Sequence, residues 1–231
     1  MTHRDREFLR HAMLLYAVTD RAWLRGRTLE QCVQQVIEGG ATFVQLREKD
    51  ASREETVRLG RALLRICHEA HVPFVVDDDI EAALEIGADG VHVGQEDAAC
   101  AEARAALGPD AIIGVSAQTV AQALKAQEDG ADYLGVGALI PTATKPDAVD
   151  VSLDELARIC NAVEIPVVGI GGLNAQTIPL LKGSGADGAA VVSALFAAEN
   201  CEEAARIRAA GQAYRPTSRP SRLSGSSPKR P

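Results

Sequence analysis

Short apolar runs alternate with amphipathic segments along this chain. The runs are rich in Val and Ile, with little alternation of apolar and polar residues, and apolar residues at spacings of three and four follow each run. The first set of runs is LLYAV from Leu14, PFVV from Pro73, AIIGV from Ala111 and PVVGI from Pro166. Strands of this kind are typical of a parallel sheet that is buried on both faces and connected by helices.

A second set of runs shares one preceding signal, a Gly-Ala step. The steps are Gly40-Ala41 before TFVQL, Gly87-Ala88 before DGVHV, Gly130-Ala131 before DYLGV and Gly185-Ala186 before DGAAVV. The glycine can end the preceding helix, and the small alanine lets the strand enter beneath it. Together the two sets form an internal repeat of two strands and two helices, whose four copies give eight strands.

The repeat predicts an α/β fold, a single-domain (β/α)8 TIM barrel. Helix starts agree with this prediction, because capping-box sequences occur at Ser52-x-x-Glu55, Thr119-x-x-Gln122 and Ser152-x-x-Glu155. A doubly wound open sheet is the competing architecture, but it gives no reason for a two-strand repeat that totals eight strands. We assign residues 1–12 to an N-terminal extension, 13–211 to the barrel and 212–231 to a basic Pro/Ser/Arg tail that is predicted to be disordered.

Charge and cysteine content restrict the partners. The chain has 24 Lys and Arg against 32 Asp and Glu, and five of the basic residues lie in the tail, so the remaining 19 leave the rest with a net charge of −13. So acidic a body is not expected to bind nucleic acid. We also expect no membrane span, because no apolar run near the N-terminus is long enough. Five scattered cysteines without a C-x-x-C spacing indicate reduced thiols and a cytoplasmic protein. A homo-oligomer is left open.

Polar residues that follow the strands are the candidates for chemistry, because barrel active sites lie at the C-terminal strand ends. Gln45, Arg47 and Lys49 alternate along a segment predicted to be extended, which would point all three into the barrel mouth. Lys145, beside the Thr142 and Thr144 hydroxyls, would add a third cation from the loop after the sixth strand. Such a set suits a polyphosphate, and the alternative is ordinary surface ion pairing.

Carboxylates and glycines supply two further candidate sites. Asp77-Asp78 and Asp97 end adjacent strands, and carboxylates that approach each other need a cation, for which oxygen ligands favour Mg²⁺. Such acids are otherwise often helix caps, and Asp79 better fits that role. Gly171-Gly172 and Val192-Ser193 match the place where barrels bind a phosphate through backbone N–H groups, although a Gly pair can also serve only a tight turn.

Two anion sites of different build imply two phosphorylated small-molecule substrates. No nucleophile and base pair stands out, because Ser116 has no obvious base and His92 is expected to pack or to support other side chains. This favours a reaction whose difficulty is the expulsion of a diphosphate, with Mg²⁺ and cations stabilising the leaving group.

Several motifs, in order over about residues 13–200, resemble the thiamine phosphate synthase family. They are QLREKD from Gln45, GADGVHVGQED from Gly87, PTATK from Pro141, GIGG from Gly169 and VVSA from Val191. The resemblance implies that hydroxymethylpyrimidine diphosphate and a thiazole phosphate give thiamine phosphate and diphosphate. It also implies a dissociative course, in which diphosphate leaves first and the thiazole nitrogen attacks the resulting carbocation.

The resemblance also implies roles for individual residues. Arg47, Lys49, Lys145 and Ser116 would be catalytic, and Asp78 and Asp97 would bind Mg²⁺. The pyrimidine diphosphate would contact Gln45, Leu46, Arg47, Glu48, Lys49, Asp77, Ser116 and Lys145, with Ser116 touching either the pyrimidine or the diphosphate. The thiazole phosphate would contact Thr142, Ala143, Thr144, Gly172, Val192 and Ser193.

One departure from the family pattern concerns Asp77, where the family usually has Asn. A donor to the diphosphate has become an acceptor, so either that contact is lost or Asp77 joins the metal shell. Two other functions stay open beside the synthase. One is a thiazole tautomerase, a paralogue with a histidine base near the end of the fifth strand, where this chain has Gln118. The other is a non-catalytic barrel that binds a phosphorylated ligand.

Overall fold

Eight parallel strands close into a barrel in the computed structural model, which describes residues 5–95, 99–141 and 150–211. Each strand pairs with the next along the chain, and the last pairs with the first. The strands are β1 Leu15–Val18, β2 Phe43–Leu46, β3 Phe74–Asp77, β4 Gly90–Val93, β5 Ile112–Ala117, β6 Tyr133–Val136, β7 Val167–Ile170 and β8 Gly188–Val191. This confirms the TIM barrel and places a strand in every predicted run.

Helices connect the strands and form the outer layer. The α-helices are α1 Arg6–Ala12, α2 Leu29–Glu38, α3 Arg53–Glu69, α4 Ile80–Ile86, α5 Ala99–Leu107, α6 Val120–Glu128, α7 Leu153–Ala162, α8 Ser193–Phe196 and α9 Cys201–Gly211. Short 3-10 helices span Arg21–Trp23 and Ile178–Leu181, the second in the crossover from β7 to β8. None of the helices in these described ranges is long and apolar enough to cross a membrane.

The predicted helix starts and stops occur where the sequence indicated them. Ser52, Thr119 and Ser152 each cap a helix by accepting a hydrogen bond from the backbone N–H three residues later, although only Thr119 forms the reciprocal box. Gly40, Gly87, Gly130 and Gly185 all have positive φ, a conformation that favours glycine. These local signals therefore fix the points where each crossover meets the sheet.

Apolar side chains fill both faces of the barrel wall. A large cluster lies between the strands and the helices, and a smaller one, which includes Tyr16, Phe43 and Tyr133, lies inside the barrel. The Tyr16 and Tyr133 rings meet edge to face, with centroids 5.8 Å apart. Gly114 makes room for the Tyr133 ring, because a Cβ at position 114 would lie 2.1 Å from Tyr133 Cζ.

A helix closes the N-terminal end of the barrel. Within the predicted extension of residues 1–12, α1 inserts a fully buried Leu9 into the inner cluster, where it joins Phe43 and Ile112. Arg10 forms an ion pair with Asp187, just before β8, which ties the helix to the barrel floor. The predicted tail, residues 212–231, lies outside the described residues.

The insertion of α1 predicts that Leu9→Ala lowers the free energy of unfolding by about 2–5 kcal/mol, the usual cost of truncating a buried Leu. Leu84→Ala on α4 is the matched control, because Leu84 is 50% exposed and should cost no more than about 0.5 kcal/mol. Urea unfolding of both variants measures the difference. Equal stability of the two variants would show that α1 does not contribute to the folded barrel.

Candidate active site

An open pocket of about 500 Å³ lies at the C-terminal ends of β2 and β3. It is lined by two segments that include residues assigned from the sequence to the diphosphate and the metal. The lining residues are Glu48, Lys49, Asp77, Asp78, Asp79, Ile80 and Glu81. The lining thus combines an exposed cation with a run of carboxylates. Such a mixture can bind an anion and a divalent cation together.

The three alternating residues Gln45, Arg47 and Lys49, in β2 and just after it, occupy different depths of the barrel. Gln45 is buried inside, Arg47 is largely covered at the rim, and Lys49 is exposed beside the pocket. The strand ends at Leu46, so Lys49 lies in a bend and not in the extended segment that we predicted. Thr19 holds the start of this loop, because its Oγ1 accepts a hydrogen bond of 3.0 Å from the Arg47 N–H.

Leu46 and Glu48 are the other two residues of the predicted contact loop, and the side chain of each has contacts within the protein. Leu46 belongs to the outer apolar cluster. The Glu48 carboxylate pairs with Arg21 at 2.7 Å, and burial raises its pKa. Among the described residues, Glu48 Oε1 is buried without a hydrogen-bond partner. Leu46 can therefore offer a ligand only backbone groups.

The three consecutive acids after β3 have separate roles. Asp79 caps α4, as expected, by accepting a hydrogen bond of 2.8 Å from Ala82 N–H. Asp77 accepts from Gln45 Nε2 at 2.5 Å and lies 3.7 Å from Arg47 Nε. Its negative charge therefore faces a cation within the protein itself.

Asp78 is the acid of this run that suits a metal ion. Its backbone has a φ of +59° and its N–H donates to His92 O at 2.8 Å, which fixes the residue at the pocket. Within the described ranges its carboxylate has no hydrogen bond or ion pair. Those ranges contain no cluster of three His, Cys, Asp or Glu side chains that could hold a metal, and Asp97, the second predicted ligand, lies outside them.

Ser116 and His92 form a pair that sequence reasoning missed. His92 Nε2 lies 3.1 Å from Ser116 Oγ, and His92 Nδ1 lies 3.0 Å from the Tyr133 hydroxyl. In register, His92 pairs with Gly114, whose lack of a side chain lets the imidazole reach across β5. The sequence pattern offered no obvious base for Ser116, and the structure places His92 beside it, in contact with another side chain as expected. The sequence did contain a signal for this pair. Gly114 and Ser116 are two residues apart in β5 and therefore lie on the same face of the strand.

The glycine pair after β7 packs against the loop that follows β6. Gly171 and Gly172 have φ values of +98° and +62°, and a Cβ on Gly172 would lie 2.6 Å from Ile140 Cβ. Both conformation and space therefore require glycine here. Val192 and Ser193 follow the adjacent strand β8, and Val192 begins α8 without a side-chain cap. Backbone that follows two neighbouring strands, β7 and β8, thus lies at this part of the rim.

Part of the predicted site lies outside the described residues. This part comprises Thr142, Ala143, Thr144 and Lys145, together with Asp97. The five cysteines, by contrast, are all described and buried, and none of them is joined to another by a disulfide bond. Burial raises the pKa of Cys67 to about 12 and that of Cys32 to about 11, so neither thiol is a ready nucleophile.

Comparison with known proteins shows the family to which the chain belongs. Residues 15–195 match the family model described as thiamine monophosphate synthase. The chain belongs to this family. Its relatives include the thiamine-phosphate synthases of Clostridium tetani, 44% identical over 82% of this chain and 91% of that one, and of Ruminiclostridium cellulolyticum, 48% identical over 83% and 91%. Family membership makes the chain a transferase of thiamine biosynthesis.

A solved structure of a relative has the same fold. The thiamine phosphate pyrophosphorylase from Pyrococcus furiosus superimposes with a TM-score of 0.81 at 38% identity, covering 88% of this chain and 97% of that one. The barrel therefore has the same fold as this relative over nearly the relative's whole length.

The packing of Gly172 generates a prediction for the family reaction. Gly172→Ala should lower thiamine phosphate formation by about ten- to hundredfold, because relief of the clash with Ile140 must move the rim backbone. Gly183→Ala is the matched control, since Gly183 also has positive φ but a Cβ there would meet no atom within 4 Å. Each variant should lose about 1–2 kcal/mol of stability from φ strain. Similar activity in the two variants would show that the Gly172 rim is not part of the site.

Proposed function

We propose that this chain joins hydroxymethylpyrimidine diphosphate to a thiazole phosphate and releases thiamine phosphate and diphosphate. The observation that carries the proposal is the pocket at β2 and β3, where exposed Lys49 lies beside Asp78, whose carboxylate has no protein partner among the described residues. One end of the barrel mouth thus suits a diphosphate with its cation. The Gly172 rim, with backbone from two strands, suits a monophosphate.

Departure of the diphosphate is the step that these residues would assist. Lys49 and Lys145 supply positive charge where negative charge grows on the leaving oxygens. Arg47 can contribute as well, because a separation of 3.7 Å from Asp77 is a loose ion pair. Mg²⁺ would be held by Asp78 and Asp97, and when bound it supplies further charge to the leaving group.

Attack by the thiazole nitrogen needs no proton removed by the protein, which agrees with the chemistry of the described residues. His92 Nε2 lies 3.1 Å from Ser116 Oγ, and His92 Nδ1 lies 3.0 Å from the Tyr133 hydroxyl. The family reaction needs no nucleophilic hydroxyl from the protein, so we assign Ser116 to contact with the substrate.

The tautomerase alternative is not supported at the fifth strand. Gln118 stands where that paralogue has its histidine, and an amide cannot act as a general base. Five buried cysteines without a disulfide bond among them further support a cytoplasmic location for the enzyme.

The direct test mixes both substrates with Mg²⁺ and measures thiamine phosphate and diphosphate together. We expect the two products in equal amounts. Conversion of the thiazole substrate without diphosphate release would favour the tautomerase, and ligand binding without either product would favour a non-catalytic barrel. Either result would contradict the proposal.

Lys49→Ala should lower kcat by about a hundredfold, because Lys49 would stabilise charge that develops on the leaving group. Lys182→Ala is the matched control, since Lys182 is also exposed but precedes β8 at the opposite end of the barrel. Steady-state kinetics of both variants distinguish the two ends. An unchanged kcat for Lys49→Ala, or an equal loss in both variants, would remove Lys49 from the site.

Removal of Mg²⁺ with a chelator should abolish turnover and leave the far-ultraviolet circular dichroism unchanged, because the proposed ligands lie at the rim and not in the core. Asp78→Asn should weaken Mg²⁺ binding, measured by titration calorimetry, while Asn tolerates the positive φ. Full activity in excess chelator would exclude a metal-assisted reaction.

A further inference from the structure

Asp77 begins a line of hydrogen-bonded side chains that enters the barrel. Gln45 Nε2 donates to Asp77 Oδ1 at 2.5 Å, and the Tyr16 hydroxyl donates to Gln45 Oε1 at 2.6 Å. The Tyr16 and Tyr133 hydroxyl oxygens then lie 2.7 Å apart. A single line thus runs from β3 through β2 and β1 to β6.

The same line continues from β6 to the rim at β5. The Tyr133 hydroxyl lies 3.0 Å from His92 Nδ1, and His92 Nε2 lies 3.1 Å from Ser116 Oγ. Asp77 and Ser116, two residues of the candidate site, are therefore the ends of one buried series of hydrogen bonds.

The chemistry of Asp77 fixes the direction of every bond in this series. An ionised carboxylate only accepts, so Gln45 must present its amino group to Asp77 and its oxygen to Tyr16. The Tyr16 hydroxyl proton is then directed to Gln45. Because the Tyr16 and Tyr133 hydroxyl oxygens lie 2.7 Å apart, one hydroxyl must donate to the other, so Tyr133 donates to Tyr16.

The remaining two bonds follow from the same accounting. Because the Tyr133 proton points to Tyr16, the Tyr133 oxygen must accept from His92 Nδ1–H. In the neutral imidazole the other nitrogen, Nε2, is then an acceptor. The Ser116 hydroxyl proton therefore points inward to His92.

We propose that Asp77 is a positioning residue that sets this direction and so makes Ser116 a hydrogen-bond acceptor towards the barrel mouth. With its proton turned inward, Ser116 can accept from an N–H group of a substrate but cannot donate to a phosphate oxygen. Resting on the proposed function, this assigns Ser116 to the amino-bearing pyrimidine and not to the diphosphate.

The surroundings leave the series little freedom to rearrange. Tyr16 and Tyr133 are fully buried, and burial raises the pKa of both phenols, so both keep their protons. Tyr133 and His92 have space only because residue 114 is glycine. The Cβ of any other residue at this position would lie 2.5 Å from His92 Nδ1. The bonds of the Tyr16 and Tyr133 hydroxyls are buried, so water from the mouth cannot easily replace them.

Asp77→Asn should reverse the whole series while it preserves the shape of the side chain. Arg47 faces one oxygen of Asp77 and Gln45 faces the other. In the variant the amide oxygen stays with the Arg47 cation, and the amide nitrogen turns to Gln45. Gln45 must then present its oxygen to residue 77 and its nitrogen to Tyr16, which reverses each later bond and makes Ser116 a donor to the mouth.

The test is the tautomer of His92 in ligand-free, metal-free protein. Nitrogen-15 NMR of histidine-labelled protein in mildly alkaline solution separates protonated from unprotonated ring nitrogens, and His92→Gln assigns the signal. We expect Nδ1–H in the parent and Nε2–H in Asp77→Asn. Asp154→Asn is the matched control on the exposed face of α7 and should leave the parent tautomer unchanged.

Tyr16→Phe provides a second control, because it interrupts the series between Gln45 and Tyr133. In this background Asp77→Asn should no longer change the His92 tautomer. An Nε2–H tautomer in the parent, an unchanged tautomer in Asp77→Asn, or a change that persists without the Tyr16 hydroxyl would overturn the proposal. None of these readouts depends on turnover, so the proposal and the proposed reaction can fail separately.

Binding of inorganic diphosphate with Mg²⁺ tests the consequence at Ser116. In the parent, Ser116→Ala should change the calorimetric Kd by less than about twofold, because Ser116 offers no donor. In the Asp77→Asn background the same change should weaken binding by about tenfold or more, the loss of one hydrogen bond to a charged group. Equal effects of Ser116→Ala in both backgrounds would contradict the reversal.

Discussion

The interior of this closed barrel must be filled by side chains from its own strands, and part of that filling is polar. Buried polar groups destabilise a fold unless they are hydrogen-bonded, so each one needs a partner on a neighbouring strand. Tyr16, Gln45, Tyr133 and His92 satisfy one another across four strands. The position of each strand relative to the next therefore matters for more than the backbone ladder, since a shift of one residue would separate these groups.

This inner layer also connects the stable part of the barrel to its mouth. Below it, Leu9 and the inner aliphatic side chains close the floor. Above it, Asp77 and Ser116 lie at the rim, where the proposed substrates bind. The rim side chains are thus oriented by the strands through bonds whose middle part, at Tyr16 and Tyr133, is buried, and such fixed orientation is what preorganised catalysis requires.

The sequence was sufficient for the barrel because its signals are local. Val- and Ile-rich runs, the Gly-Ala steps and caps such as Thr119 each act within a few residues, and their fourfold repetition fixed the strand number. The Ser116 and His92 pair was missed because it depends on lateral register and on the space left by Gly114. The packing of α1 was missed for a similar reason, since a single buried Leu9 gives no periodic signal in so short a segment.

The central claim is that the diphosphate and its cation bind at β2 and β3, at the opposite part of the rim from Gly172. The most direct measurement is a crystal structure with diphosphate and Mn²⁺ in place of Mg²⁺, in which anomalous scattering locates the metal. We expect Mn²⁺ on the Asp78 carboxylate with the diphosphate beside Lys49. Diphosphate bound at Gly172 and Ser193, with no metal at Asp78, would contradict the account.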